Sequence, residues 1–137
     1  VGGDFSQANF PAPSPTPANR IARWDGVTWS ALGSNGGNGV DGRVRTLVAT
    51  ATGLYAGGDF TQANVGDALV ARHVAHWNGS AWSSLGSGVS SNVYHAATDA
   101  TSLYVGGVFA EAGGKPSSNI ARYRPSDLIH VDGFEDP

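Results

Sequence analysis

The chain has 137 residues, enough for a domain with its own core, and it carries a formal charge of only −3. With Lys115 as its only lysine, it holds no basic field of the kind that binds nucleic acid or anionic lipid. Cysteine is absent, which excludes disulfides, thiolate catalysis and cysteine-bound zinc, and no apolar run approaches the roughly 18–20 residues of a membrane-spanning helix.

Taken in chain order, the sequence repeats itself. Val1-Gly2-Gly3-Asp4-Phe5 returns as Ala56-Gly57-Gly58-Asp59-Phe60 and as Val105-Gly106-Gly107-Val108-Phe109. A second phrase follows each: Ile21-Ala22-Arg23-Trp24, Val74-Ala75-His76-Trp77 and Ile120-Ala121-Arg122-Tyr123. A third, Trp29-Ser30-Ala31-Leu32-Gly33, recurs once as Trp82-Ser83-Ser84-Leu85-Gly86. The diglycines start at positions 2, 57 and 106, so the spacings are 55 and 49 residues. Long-period self-similarity with glycine and aromatic punctuation predicts an all-β chain of β-propeller blades, each with four antiparallel strands.

The one complete blade spans 44–86, flanked by partial blades at 1–33 and 93–125. Its strands are expected at 44–48, 54–58, 70–77 and 82–85. Asn78-Gly79, matched by Asp25-Gly26, is a hairpin signal between the last two. Period-2 alternation sets Ala75 and Trp77 on one face and Val74 and His76 on the other. His73 and His76, read as one strand, also point to opposite faces. The count comes to about two and a half to three blades, and Val1 stands mid-repeat. Upstream blades of a longer polypeptide, or further copies of the chain, are therefore expected partners. The segments after each diglycine, 10–17, 62–69 and 111–118, are where the repeats disagree. The first is expected to be extended by its alternating prolines.

A diglycine followed by an aromatic residue, then a tryptophan entering the last strand, resembles the kelch-type blade. The fuller text, Leu103-Tyr104-Val105-Gly106-Gly107 followed by Asn119-Ile120-Ala121-Arg122-Tyr123, is similar to repeats of large extracellular bacterial propellers and Rax2-like cell-surface proteins. The resemblance covers 1–125. It implies an extracellular or cell-surface location, with the periplasm as the other compartment, and it is informative for fold rather than activity.

Few residues point to chemistry. Repetition of Trp24, Trp29, Trp77 and Trp82 favours packing between blades over sugar stacking. Gly-Gly-Asp-Phe lacks the glutamate that marks cyclic-dinucleotide synthases. Asp4 and Asp59 form one column and Arg23, His76 and Arg122 another. These five are the ligand-binding candidates, and a charge pair within each blade is their structural use. The four histidines have no carboxylate cluster around them, so neither metal nor cofactor is expected. No nucleophile elbow or paired-carboxylate segment appears, and no catalytic residue is assigned. Gly36-Gly37-Asn38-Gly39-Val40-Asp41 opens like a calcium-binding nonapeptide, but Arg43 replaces its apolar anchor, which leaves a flexible loop.

Residues 126–137 stand outside the repeat. Asp132-Gly133-Phe134-Glu135 resembles a short C-terminal tail of secreted proteins from Xanthomonas- and Lysobacter-type bacteria. Asp127 to Val131 is expected to close the last blade as its outer strand, leaving Phe134 to Pro137 mobile. The functional expectation is a non-catalytic exported binding or surface-interaction module for a carbohydrate, protein or cell-envelope ligand. The alternatives are a piece of a propeller enzyme, a kelch-like oxidase or a glycoside hydrolase, and a purely structural repeat.

Overall fold

The computed structural model describes residues 1–9, 13–67, 69–125 and 134–135. They fold as three consecutive all-β units with no helix among them. In the first unit, β1 (Gln7–Ala8) and β2 (Thr16–Pro17) make a small hairpin. Next, β3 (Ala22–Trp24) pairs antiparallel with β4 (Trp29–Ala31), while Gly2 bridges to Ile21. β5 (Asn38–Val40) then leads into the second unit.

The second unit contains β6 (Val44–Thr50), β7 (Gly53–Gly58), β8 (Gln62–Val65), β9 (Leu69–Val70), β10 (Val74–Trp77) and β11 (Trp82–Ser84). β6, β7, β10 and β11 form one antiparallel four-stranded sheet in that order, and β5 joins the inserted β8–β9 hairpin. The third unit repeats the plan with β12 (Val93–Thr98), β13 (Leu103–Gly107), the small hairpin β14 (Glu111–Ala112) and β15 (Lys115–Pro116), β16 (Ile120–Tyr123) and β17 (Phe134–Glu135).

The repeat holds at the level of single backbone bonds. Arg20, His73 and Asn119 donate their N–H groups to the carbonyls of Phe5, Phe60 and Phe109 at 2.7, 2.8 and 2.9 Å. All three sit in the left-handed region, with φ of 62, 66 and 67°. Such a conformation is uncommon for residues with a Cβ, so its recurrence marks a shared backbone path.

That kink corrects one sequence reading. Positions 70–77 are not a continuous strand: β9 ends at Val70, and β10 begins at Val74, just after the left-handed His73. His73 therefore precedes the strand that carries His76. The segments expected to differ between repeats adopt one design, a small hairpin in every unit. Residues 38–40, read as part of a flexible loop, form a strand, because Asn38 and Val40 pair with Val65 and Ala63 of β8.

The diglycines have two distinct jobs. A Cβ at Gly58 or Gly107 would collide with the backbone carbonyl of Arg43 or Asn92, which opens the first strand of the same unit. A Cβ at Gly2 or Gly57 would instead strike Val44 or Val93, in the first strand of the following unit. One glycine admits the unit's own strand and the other admits the neighbouring unit.

Successive units pack through apolar side chains. Ile21, Leu32 and Val40 of the first unit and its linker meet Val44, Ala56, Phe60, Ala75 and Trp82 of the second. Tyr55, Val74 and Leu85 of the second meet Val93, Leu103, Val105, Phe109 and Phe134 of the third. The Trp82 indole N–H donates to the Leu32 carbonyl at 2.8 Å, tying the last strand of one unit to the end of the unit before.

The C-terminal end differs from expectation. Asp127 to Val131, assigned as the closing strand, lies outside the described residues. Phe134 and Glu135, expected to be mobile, pair with Tyr123 and Arg122 as the fourth strand, and Phe134 is buried. Trp82 and Ser83 pair with Trp77 and His76 in the same register. Phe134 thus takes the place of the repeat tryptophan. The aromatic pairs Trp24–Trp29, Trp77–Trp82 and Tyr123–Phe134 have ring centroids 5.3, 5.5 and 5.0 Å apart.

Candidate functional site

The turns position a cleft between two units. Asp25 Oδ1 accepts the N–H groups of Val27 and Thr28, and Asn78 Oδ1 accepts those of Ser80 and Ala81. Asp99 repeats the device between β12 and β13, accepting from Thr101 and Ser102 at 2.8 Å each, while its Oδ2 receives the Tyr104 hydroxyl at 3.1 Å. The N–H groups of Thr101 and Ser102 hold the Asp99 carboxyl below the usual range.

Between the β6–β7 and β12–β13 turns lies a cleft of about 800 Å³. Its serine and threonine walls come from Thr50, Thr52, Ser83, Ser84, Thr98, Thr101 and Ser102. Tyr55, His76, Leu85, Leu103 and Tyr123 supply ring and apolar surface. The second and third units both contribute, so the cleft belongs to the junction between them.

His76 is the one ligand-binding candidate from the sequence that lines this cleft. Its ring lies 4.6 Å from that of Tyr55, tilted by 42°. Burial depresses the His76 pKa, partly offset by the Thr52 carbonyl, so the imidazole is neutral near pH 7. Its Nε2 is buried without a hydrogen-bond partner. Burial, with the nearby Tyr123 phenol, pushes the Tyr55 hydroxyl up.

The other candidates are dispersed. Asp4 accepts from Arg43 at 3.1 Å and faces Arg20 at 3.6 Å. Asp59 holds Arg45 through two bonds of 2.5 and 2.8 Å, and this contact lowers the Asp59 pKa. The aspartate column therefore pairs with arginines at 20, 43 and 45, and the expected pairing with Arg23 and His76 does not form. The reason is position: Asp59 lies just beyond the end of β7, whereas His76 pairs with Tyr55 farther along it. Arg23 is exposed on β3, and Arg122 lies in β16 between Tyr104 and Glu135. The Arg45 guanidinium also stacks 4.8 Å over the Tyr94 ring.

Asp41, which ends the calcium-like text, is fully engaged by the protein. Burial raises its pKa, but the N–H groups of Gln62 and Thr61 and the Thr61 hydroxyl outweigh that and lower it. No group of three or more acidic, histidine or cysteine side chains suited to a metal occurs among the described residues.

Sequence reasoning missed the hydroxyl residues of the cleft. They sit in turns and on an outer strand as ordinary Thr and Ser, and only the packing of two units makes them converge. The chain matches no protein-family model, no curated protein and no solved structure.

Proposed function

We propose that this chain is a run of kelch-like, Rax2-like β-propeller blades from an exported protein, acting as a non-catalytic carbohydrate-binding module. The observation that carries the reading is the cleft between the second and third units, lined by seven serine and threonine side chains together with tyrosine and imidazole rings. Hydroxyls that both donate and accept suit a neutral polyhydroxylated ligand, and aromatic faces suit the apolar face of a sugar ring. Asp99, the one carboxylate of the cleft among the described residues, is engaged by its turn and by Tyr104. Among the described residues the cleft holds no second carboxylate with which it could share acid–base work. Recurrent four-stranded meanders, with equivalent glycines and aromatic pairs, support the propeller assignment.

Titration of the isotopically labelled chain with a panel of neutral mono- and oligosaccharides tests this. Amide shifts confined to 50–55, 76–85, 98–104 and 123–125, weakened at least tenfold by Tyr123→Ala, are expected. Shifts absent throughout the panel, or sugar hydrolysis by the chain, would overturn it.

A further inference from the structure

Asparagine followed by glycine occurs three times, at Asn35-Gly36, Asn38-Gly39 and Asn78-Gly79. Glycine has no Cβ to crowd its own nitrogen, so each pair can close a five-membered ring between the asparagine side chain and the next backbone nitrogen. As local sequence the three are equivalent. The fold makes them unequal.

Asn38 carries two restraints. Its Oδ1 accepts the Asn19 N–H at 2.8 Å, and the Gly39 nitrogen donates to the Leu32 carbonyl at 2.8 Å. Gly39 is also buried against the Asn19 backbone. Asn78 is exposed, but its Oδ1 accepts the N–H groups of Ser80 and Ala81 at 2.9 Å each, which fixes the side chain in its turn. Asn35 has no such restraint. It and Gly36 are both exposed, and neither the Asn35 side chain nor the Gly36 N–H has a hydrogen-bond partner among the described residues. A Cβ at Gly36 would meet nothing within 4 Å.

We propose that Asn35 is a modification site, at which spontaneous deamidation replaces the side-chain amide by a carboxylate. The Gly36 nitrogen gives its proton to solvent base and bonds to Asn35 Cγ; the Cγ–Nδ2 bond breaks, and the nitrogen leaves as ammonia after taking a proton from water. Water then opens the cyclic imide. Cleavage at the side-chain carbonyl leaves aspartate, and cleavage at the main-chain carbonyl leaves isoaspartate, so the net exchange is one water for one ammonia. Isoaspartate inserts the side-chain methylene into the backbone of a turn that has no room for it. Gly37 donates to the Ser34 carbonyl at 3.0 Å, and a Cβ on Gly37 would strike the Asn64 carbonyl. Asn64 of β8 clasps Ser34 from both sides, its Oδ1 accepting the Ser34 N–H at 3.0 Å and its Nδ2 donating to the Ser34 carbonyl at 2.9 Å. Conversion at Asn35 therefore loosens the clasp between β8 and the segment that joins the first two units.

Ageing the folded 137-residue chain in mildly alkaline buffer, followed by peptide mapping, tests this. Aspartate and isoaspartate should accumulate at position 35 at least about tenfold faster than at 38 or 78, each of which must first release two hydrogen bonds. In urea the three rates should converge, because the restraints are then gone. Hydrogen exchange at the Ser34 amide should quicken in the converted chain and stay slow in Asn35→Gln aged alike. Conversion at Asn38 or Asn78 as fast as at Asn35 in the folded chain, an unmodified Asn35, or the same ranking kept in urea would overturn the site. Unchanged Ser34 protection after conversion would overturn the loosening. The experiment uses no ligand, so its outcome is independent of the binding reading.

Discussion

Trp82 shows how one residue type does different work at equivalent positions. Its ring is buried against the first unit, and its indole N–H reaches the Leu32 carbonyl. Trp24 and Trp29 form the same kind of pair without that cover. Replacing Trp82 by alanine should cost about 3–5 kcal/mol, as for other large buried side chains. Trp82→Phe should cost about 1–2 kcal/mol, the hydrogen bond plus lost volume. Trp24→Ala should cost well under about 1 kcal/mol, as an exposed substitution does. Urea unfolding of the three variants checks the ranking. Equal losses at Trp24 and Trp82 would show that the inter-unit contact does not set the energy.

Among the elements, β17 is the instructive one. The first two units turn from third to fourth strand through 25–28 and 78–81, whereas the third reaches its fourth strand across 124–133. Register survives the longer connection because Phe134 fills the tryptophan position beside Tyr123 and covers Leu103, Val105 and Ala121. A strand of two residues has little backbone pairing to hold it, so the buried ring must do so. Phe134→Ala should therefore lower stability by about 3–4 kcal/mol. It should also bring the amides of β16 into fast hydrogen exchange while those of β6 and β7 remain slow. Unchanged protection of β16 would mean that β17 contributes nothing to the sheet. The sequence signal was present as an aromatic residue followed by a polar one. Its distance from Tyr123 hid it, because the repeat elsewhere uses a four-residue turn.

Across the whole molecule, acid should act in two stages. Burial depresses the pKa of His73 and His76 below their ordinary 6.5, so below about pH 6.5 the unfolded chain takes up protons that the native one refuses. Stability falls with pH in that window. Asp25, Asp41, Asp59 and Asp99 are depressed below 3.8, so their contribution is complete above that value and is lost as pH drops through their native pKa values. A melting temperature level near neutrality, declining below about pH 6.5 and more steeply below about pH 4, is expected. His76→Gln should flatten the first decline and leave the second. A melting temperature that rises between pH 7 and pH 5 would contradict the direction of both histidine shifts.

The all-β class, the threefold repetition and most strand positions were legible in the sequence, since glycine punctuation, Asn-Gly and Asp-Gly turns and period-2 alternation are local properties. The two faces of β10 followed from the same alternation, with Ala75 toward the first unit and Val74 toward the third. The partners of Asp4 and Asp59, the kink at His73 and the docking of Phe134 were decided only in three dimensions. Each depends on residues brought together across strands or units, as Asp4 is with Arg43. The cleft follows the same rule. Its hydroxyl residues come from separate strands and turns of two units, and no spacing along the chain records that those units lie against each other.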